Sequence, residues 1–506
     1  MAVPPKLAPI YRSADLRAVE AAAKALPLME RAGLAAADVA RSMAGARNGS
    51  VLVLAGPGNN GGDGFVVARR LRAAFFDVTV VFRGNPAALP ADAATAHATW
   101  VGAGGTTVAD IPACWTGSLI VDGLFGIGLT RAIATEYARL VDWANASGRP
   151  ILALDIPSGL GADTGMVLGP AIRAAATATF IALKPGLLTG DGIDLCGTVS
   201  VHSLGIDAES IASAMGHRLE WPALAAAMPA ALMRNARNVH KGTFGTLGII
   251  GGASGMVGAP LLTGRAALMT GAGKVWIGFV ATERPAVDWA QPELMLRAAD
   301  QVLNANLDAL ICGPGLGNGD VARALVARAA NVRAPLVLDA DALNVIAADP
   351  ALATAVAARH SPTVATPHPA EAARLLGVTT AAVQADRLGA AQALAGRLHA
   401  AVVVKGAGSV LAYPDGTWDI NASGNPGLAS AGTGDVMAGL AGAFLAQRLD
   451  ATTALRLAVC LHGAAADACV RGGRGPLGLT ASEIAPAARS LLNGAASRNA
   501  EVPGPL

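Results

Sequence analysis

Along the chain, short apolar runs alternate with longer Ala-rich segments whose apolar positions recur at helical spacing. The short runs read as strands buried on both faces and the longer segments as helices laid against them. That alternation is the pattern of parallel sheets covered on both sides. The expected fold class is α/β, with two three-layer α/β/α domains. In the first half, strands are expected near residues 50–55, 77–82, 118–121, 150–154 and 177–183. They follow an amphipathic opening helix with Ser13 as its cap and Leu16, Val19, Ala23 and Leu26 at helical spacing. In the second half, strands are expected near residues 246–250, 275–279, 309–312, 336–338, 363–365 and 401–404. Between Glu220 and Asn238 the pattern lapses in a segment holding Trp221, Pro222 and Pro229. Domains are therefore expected over 1–220 and 235–500. The Gly- and Ser-containing end, from Asn493, is expected to fray.

Composition narrows the class without changing it. The 506 residues are 53% hydrophobic and only 4% aromatic, so the apolar mass is mostly Ala, Val and Leu, which suits helices packed on sheets. Lys and Arg total 38 against 36 Asp and Glu, with no basic stripe for nucleic acid. The uncharged stretch 242–264 contains eight Gly and reads as strand and loop, not as a membrane helix. No apolar run follows Lys6, so a secretory leader and a membrane partner are not expected and a cytoplasmic location is. The five cysteines are odd in number, scattered and without a C-x-x-C pair; they are expected to be buried small hydrophobes, not disulfides or zinc ligands.

The first strand runs straight into Gly56-Pro57-Gly58-Asn59-Asn60-Gly61-Gly62-Asp63-Gly64. Glycines at that density let backbone amides approach a ligand at a helix N-terminus, where the dipole favours anions. The string contains G-x-G-x-x-G, a weak signal alone. A dehydrogenase would add an acidic residue at the end of the second strand to hold a ribose, and Phe82-Arg83-Gly84 stands there instead. Two later loops, 122–131 and 155–160, would meet the first at the carboxyl edge of one parallel sheet. Together they supply Asp122, Asp155, the amide of Asn60 and the hydroxyl of Ser158. Such an oxygen cluster suits a weakly charged hard cation, and a carboxylate left over suits acid–base work. A single strand-end Asp more often caps the following turn, but three such loops together favour a site.

The motifs GNNGGDG, DGLFGIGLTR and DIPSGL, in this order, resemble the NAD(P)HX epimerase domain over about residues 9–215. The resemblance implies a Rossmann-like domain in which Asn59, Asn60, Gly61, Gly62 and Asp63, with Gly126, Ile127, Gly128, Leu129, Thr130, Arg131 and Ala132, contact a hydrated nicotinamide nucleotide. It implies Asp155 as acid–base partner and Asn60, Asp122 and Ser158 as holders of a potassium ion. Gly123 stands where Ala is usual and Ile127 where Thr is usual, the second removing a hydroxyl from the ligand loop.

In the second half, Ala429-Ser430-Ala431-Gly432-Thr433-Gly434-Asp435 feeds a helix, so successive amides form an anion hole. An Asp at that mouth can take the proton of a hydroxyl attacking phosphorus; the plainer role is a first-turn Asp favoured by the helix dipole. Val404-Lys405-Gly406-Ala407-Gly408-Ser409 ends another strand with a Lys and two Gly. The loops 313–317, 339–344 and 366–371 end three more, and His368 lies between two prolines, in position to contact a ligand. Only six of 38 basic residues are Lys, and Lys184 and Lys405 each end an expected strand beside a Gly or Pro-Gly turn, which suits a tight phosphate loop.

These motifs resemble the ADP- or ATP-dependent NAD(P)HX dehydratase of the ribokinase-like superfamily over about residues 235–492. The resemblance implies that Lys405, Gly406, Ala407, Gly408, Ser409 and Gly434 bind the adenine nucleotide. It implies that Ala259, Gly315, His368 and Asp435 bind the hydrate, with Asp435 also activating its hydroxyl. Ala370 and Ala431 each stand where Gly is more usual. The expectation is then a bifunctional repair enzyme, isomerase and lyase, acting on NADHX and NADPHX with ADP or ATP as phosphoryl donor, K+ in the first site, Mg2+ with the nucleotide, and a homo-oligomeric assembly. The rivals are a sugar or vitamin-precursor kinase with a regulatory N-terminal module, and an NAD-dependent oxidoreductase.

Overall fold

The computed structural model describes residues 7–45 and 49–500. Lys6, on which the expectation of no leader turned, lies outside them. One compact unit is Pro9–Gly216, and the other takes in the chain from His217 onward together with the described N-terminal residues through Ala8.

In the first unit the apolar runs become β1 (Ser50–Ala55), β2 (Asp77–Phe82), β3 (Thr107–Val108), β4 (Leu119–Gly123), β5 (Ile151–Leu154), β6 (Ala176–Phe180) and β7 (Thr198–His202). They form a seven-stranded sheet in the order β3-β2-β1-β4-β5-β6-β7, and every pairing is parallel. The two-faced burial expected of β1 is present residue by residue. Val51, Val53 and Ala55 share a core with Ala32, Ala36, Phe65 and Val66 from the helices Leu28–Ala44 and Asn59–Ala73. Leu52 and Leu54 point the other way, to Tyr137, Leu140 and Val141 of the helix Thr135–Ala146. The strand order reverses between β1 and β4, and open α/β sheets bind ligands at the carboxyl ends of such a pair.

In the second unit the strands from Thr246 onward are β8 (Thr246–Gly251), β9 (Lys274–Phe279), β10 (Met295–Ala298), β11 (Ala309–Cys312), β12 (Leu336–Leu338), β13 (Thr363–Ala365), β14 (Ala401–Val404), β15 (Val410–Ala412) and β16 (Trp418–Asn421). Their order is β16-β15-β14-β13-β12-β11-β8-β9-β10. All pairings from β14 to β10 are parallel; β15 and β16 extend the sheet antiparallel. The helices Gly258–Met269, Thr433–Ala446 and Ala451–Arg471 share one core with Leu247, Ile249 and Ile277. Ala451–Arg471 is long and apolar enough to cross a membrane, and 72% of its apolar window is buried.

Several expectations need correction. Ser13 does not cap the opening helix but begins it, because its amide and hydroxyl both donate to Asp163 Oδ1, at 2.8 and 3.0 Å. Leu26 falls beyond that helix, which ends at Ala22. Of the stretch from Asn493, the part through Ala500 belongs to the helix Ala481–Ala500, with Ala488 and Ala495 in the core, and the rest lies outside the described residues. The uncharged stretch 242–264 is not only strand and loop, since a helix starts at Gly258. The strand expected over 177–183 stops at Phe180, where Ile181 turns to φ +66°. Four cysteines are buried as expected, but Cys114 is exposed.

Candidate active sites

The first site forms where β1 and β4 end. The Gly56 amide donates to the Gly123 carbonyl at 3.0 Å, joining the two strand ends. A Cβ on Gly56 would lie 1.7 Å from the Leu124 oxygen, and one on Gly61 2.0 Å from the Gly56 oxygen. The glycines are therefore needed so that the chain can pack on itself. Asn59 to Asp63, read as a loop, are the first turn of the helix Asn59–Ala73.

Asn59, Asn60, Asp63, Asp155 and the segment from Gly126 through Ile127, Gly128, Leu129 and Thr130 to Arg131 line one cavity of about 800 Å³. Other expected contacts stand apart from it. Gly61 and Gly62 face Gly56 and the Met29 side chain, and Ala132 is exposed on the loop beyond the lining residues. Asp122 and Ser158 are fully buried. Arg83 pairs with Asp110 and donates to the Ala109 carbonyl at 2.9 Å, so it takes no ribose-holding position.

Asp122 accepts from the Ser158 hydroxyl at 2.7 Å, the Ser158 amide at 2.8 Å and the Leu124 amide at 3.2 Å. Burial pushes its carboxyl up to about 6 in spite of these donors. Both side-chain polar atoms of Asn60 are buried without a hydrogen-bond partner. An orphaned amide of this kind is expected where a ligand completes the set.

Asp155 sits at φ +65°, a left-handed conformation costly for a non-glycine residue. That turn brings its carboxylate to the Phe180 amide at 3.2 Å and the Thr179 hydroxyl at 3.3 Å. Lys184 also donates to it, and to Thr179 Oγ1 at 2.7 Å and the Phe180 carbonyl at 3.0 Å. Lys184 thus serves a carboxylate, not the phosphate loop its rarity and position suggested, and it stands four residues beyond the strand it was expected to end. Burial pushes the Asp63 carboxyl well up, and the charges of Asp155 and Glu20 push the same way. Glu20, which lines the cavity from the helix Ser13–Ala22, is raised by burial and then by Asp155. Glu20 carried no sequence signal, because a Glu on the polar face of a helix reads as an ordinary solvated residue.

The second site lies along the carboxyl ends of β11 to β14. Asp339, which follows β12, is buried and accepts from Thr366 Oγ1 at 2.6 Å and from Lys405 Nζ at 3.1 Å. Burial alone would lower the Lys405 ammonium, but the carboxylates of Asp339, Glu371 and Asp435 together hold it raised. A Cβ on Gly434 would stand 3.4 Å from that ammonium, so the turn entering Thr433–Ala446 approaches the β14 loop closely. Asp435, in the first turn of that helix, is pushed up to about 7 by burial and by Asp339, against the pull of Lys405. Glu371 is likewise pushed up to about 7, chiefly by burial.

Other expected residues are placed as follows. The Lys405–Ser409 loop closes on itself, with Ser409 Oγ donating to the Gly406 carbonyl at 2.9 Å and Arg387 holding the Ala407 carbonyl at 2.8 Å. Gly408 sits at φ +62° in that loop. Gly315, at φ +57°, lies against Ala259, whose Cβ would be 3.3 Å from a Cβ added there. His368 caps the helix Pro369–Leu376: its Nδ1 accepts from the Ala370 and Glu371 amides at 3.1 and 3.3 Å, and its half-exposed ring stays beside Glu371. His462, unassigned from sequence, is buried, with Nε2 unpartnered and a hydrogen bond to the Thr433 backbone; burial pushes its imidazole down to about 4.

With both geometries in hand, the chain matches two families: "NAD(P)H-hydrate dehydratase" over residues 247–486 and "YjeF-related protein N-terminus" over residues 25–186. It is 42% identical over 449 residues to the bifunctional NAD(P)H-hydrate repair enzyme of Escherichia coli (strain K12), covering 87% of this chain and 84% of that one. It is 36% identical to the enzyme of the same description from Coxiella burnetii, covering 96% of this chain and 99% of that one. Among solved structures, a Bacillus subtilis ADP/ATP-dependent NAD(P)H-hydrate dehydratase co-crystallized with ATP/Mg2+ is 28% identical, with a TM-score of 0.46 over 55% of this chain and 98% of that one.

Proposed function

We infer the role of each site from the premise that the chain belongs to the bifunctional NAD(P)H-hydrate repair enzymes, with an epimerase and a dehydratase in one polypeptide. The rival reading as a sugar or vitamin-precursor kinase is not the one those relatives support.

In the first site we assign Asp155 as the group that moves a proton at ring carbon 6 of R- and S-NAD(P)HX. The observation that carries this is a carboxylate lining the cavity and held in place by the Lys184 ammonium, the Phe180 amide and the Thr179 hydroxyl. Asn59, Asn60, Asp63 and the 126–131 loop would hold the nucleotide, Gly61 and Gly62 acting through the helix turn they shape. Ala132 is kept only as a flanking contact. Asn60, Asp122 and Ser158 would hold a potassium ion, a reading supported by the unpartnered Asn60 oxygen and the buried Asp122 carboxylate. When bound there, the ion would supply fixed positive charge. Ser158 meanwhile orients Asp122, and Asp122 ties the β4 loop through the Leu124 amide.

In the second site Asp435 would accept the proton of the S epimer's hydroxyl as that oxygen bonds to the terminal phosphorus of ADP or ATP. The bond to the nucleotide breaks, and the departing phosphate then takes the C6–O electron pair while C5 loses a proton, restoring the ring double bond. Phosphate leaves more easily than hydroxide, which is why a phosphoryl-transfer site can perform a dehydration. Lys405 and the amides at Gly434 would receive phosphate charge, with Gly406, Ala407, Gly408 and Ser409 around the nucleotide. Ala259, Gly315 and His368 would hold the hydrate. Mg2+ would arrive with the nucleotide; no group of three metal-binding side chains gathers among the described residues to hold it alone. A cytoplasmic homo-oligomer completes the reading.

The test is to incubate the protein with a mixture of NADHX epimers and ADP. Recovery of reduced-nicotinamide absorbance with one AMP per ring restored, from both epimers, is the expected result. A stable phosphorylated product with no ring restored would reject it.

A further inference from the structure

Inversion at carbon 6 sets a requirement that one carboxylate does not meet. The hydroxyl must leave from one face of the ring and water must add to the other, so protons must be handled on both faces. Four acidic residues line the cavity: Glu20, Asp63, Asp92 and Asp155. Asp63 is the fifth residue of Asn59–Ala73, just after the helix turn that shapes the nucleotide contact. Asp92 is exposed on a separate helix, Ala91–Gly102. Glu20 is exposed as well, but it lies close enough to Asp155 to feel its charge, and it comes from the helix Ser13–Ala22. That helix is held by the Ser13–Asp163 bonds and by Leu16 and Val19 packed with Ile181 and Ala182.

We propose that Glu20 is the second proton-carrying catalytic residue of the epimerase site, opposing Asp155 across the hydrated ring; this rests on the reading of Asp155 given above. In one direction protonated Glu20 gives its proton to the C6 hydroxyl. The C6–O electron pair leaves with water, and the ring nitrogen's lone pair forms a C=N bond. A water molecule then adds to the other face of C6, the C=N pair returns to nitrogen, and the added water's proton goes to Asp155. The reverse direction exchanges the two roles, so no oxidant or reductant is needed. The groups facing Glu20 suit this exchange: burial and then Asp155 raise its carboxyl, while Lys184 and Arg17 oppose them. Two carboxyls with divergent environments are the recurring arrangement for an acid and a base in one pocket.

The experiment follows inversion of purified R-NADHX in water enriched in oxygen-18, with dehydratase activity on the S epimer as the fold control. Wild type should gain label at the C6 hydroxyl at the rate of inversion; inversion without label overturns the proposal. Glu20→Gln should lower kcat about 100-fold or more with KM changed less than about threefold. Glu20→Asp should recover at least about a tenth of the wild-type rate. Glu20→Gln within about threefold of wild type, or a rise in KM alone, overturns it. If Glu20→Gln also loses dehydratase activity, Glu20→Asp decides: a rate no better than the Gln variant counts against the proposal. Full inversion by Asp155→Asn would refute the reading of Asp155 instead, whatever Glu20 does.

Discussion

The Lys184 ammonium, only 1% exposed, donates to the carboxylate of Asp155, which the left-handed turn after β5 aims at it. A buried ammonium without its partner is costly, and so is a carboxylate stripped of its ammonium. The pair is therefore both a structural tie and the setting of the proposed proton transfer.

Removal of the ammonium tests that setting. Lys184→Met should lower epimer exchange by about 100-fold, since the Asp155 carboxylate loses the ammonium that holds it in place. Dehydration of purified S-NADHX should continue at the wild-type rate. Epimer ratios followed by chromatography measure the first and absorbance recovery the second.

Asp435 should impose a pH dependence. Its carboxyl is pushed up to about 7 by burial and Asp339, and it must be ionised to accept a proton. Dehydratase kcat/KM should thus fall about tenfold per pH unit below 7 and level off above it. Asp435→Asn should abolish dehydration and spare epimer exchange.

The same residue should affect stability in the opposite sense. Its folded pKa lies above the unfolded value, so the folded state binds the proton more tightly, and this contribution fades as pH rises from about 4 through 7. Asp435→Asn should therefore stabilise the protein at pH 8, on the order of 1–2 kcal/mol, with little change at pH 3.5. Denaturant melts at the two pH values compare them.

Asp122 and Asn60 predict an ion response. Epimer exchange should rise on adding K+ to a Na+ buffer, and Asp122→Asn or Asn60→Ala should flatten that rise. A wild-type rate indifferent to K+ would reject the assigned oxygen set.

Gly61→Ala should destabilise the first unit, because the new Cβ meets the Gly56 carbonyl, a backbone atom that cannot swing aside. A loss of about 1–3 kcal/mol is expected. Thermal melts and epimer exchange should report it, with dehydration less affected.

Much of this protein was legible in its linear order. Apolar runs such as Val51 to Ala55 identified themselves because a strand buried on both faces has nowhere to put a polar residue, and the strand-end motifs placed Asn60, Asp122, Asp155, Lys405 and Asp435. The strands β3, β7, β10, β15 and β16 were missed: β3, β7 and β16 mix polar residues such as Thr107, Ser200 and Asp419 into the strand, and the apolar runs of β10 and β15 are only about three residues long. Sequence alone determined which residues stand at strand ends, since that follows from periodicity and glycine. Only the tertiary structure decided that Lys184 pairs with Asp155, that Glu20 reaches the same cavity, and that Asp339 receives both Thr366 and Lys405. Those contacts join segments distant in the chain, and their energies depend on burial, a property that no residue has before the chain folds.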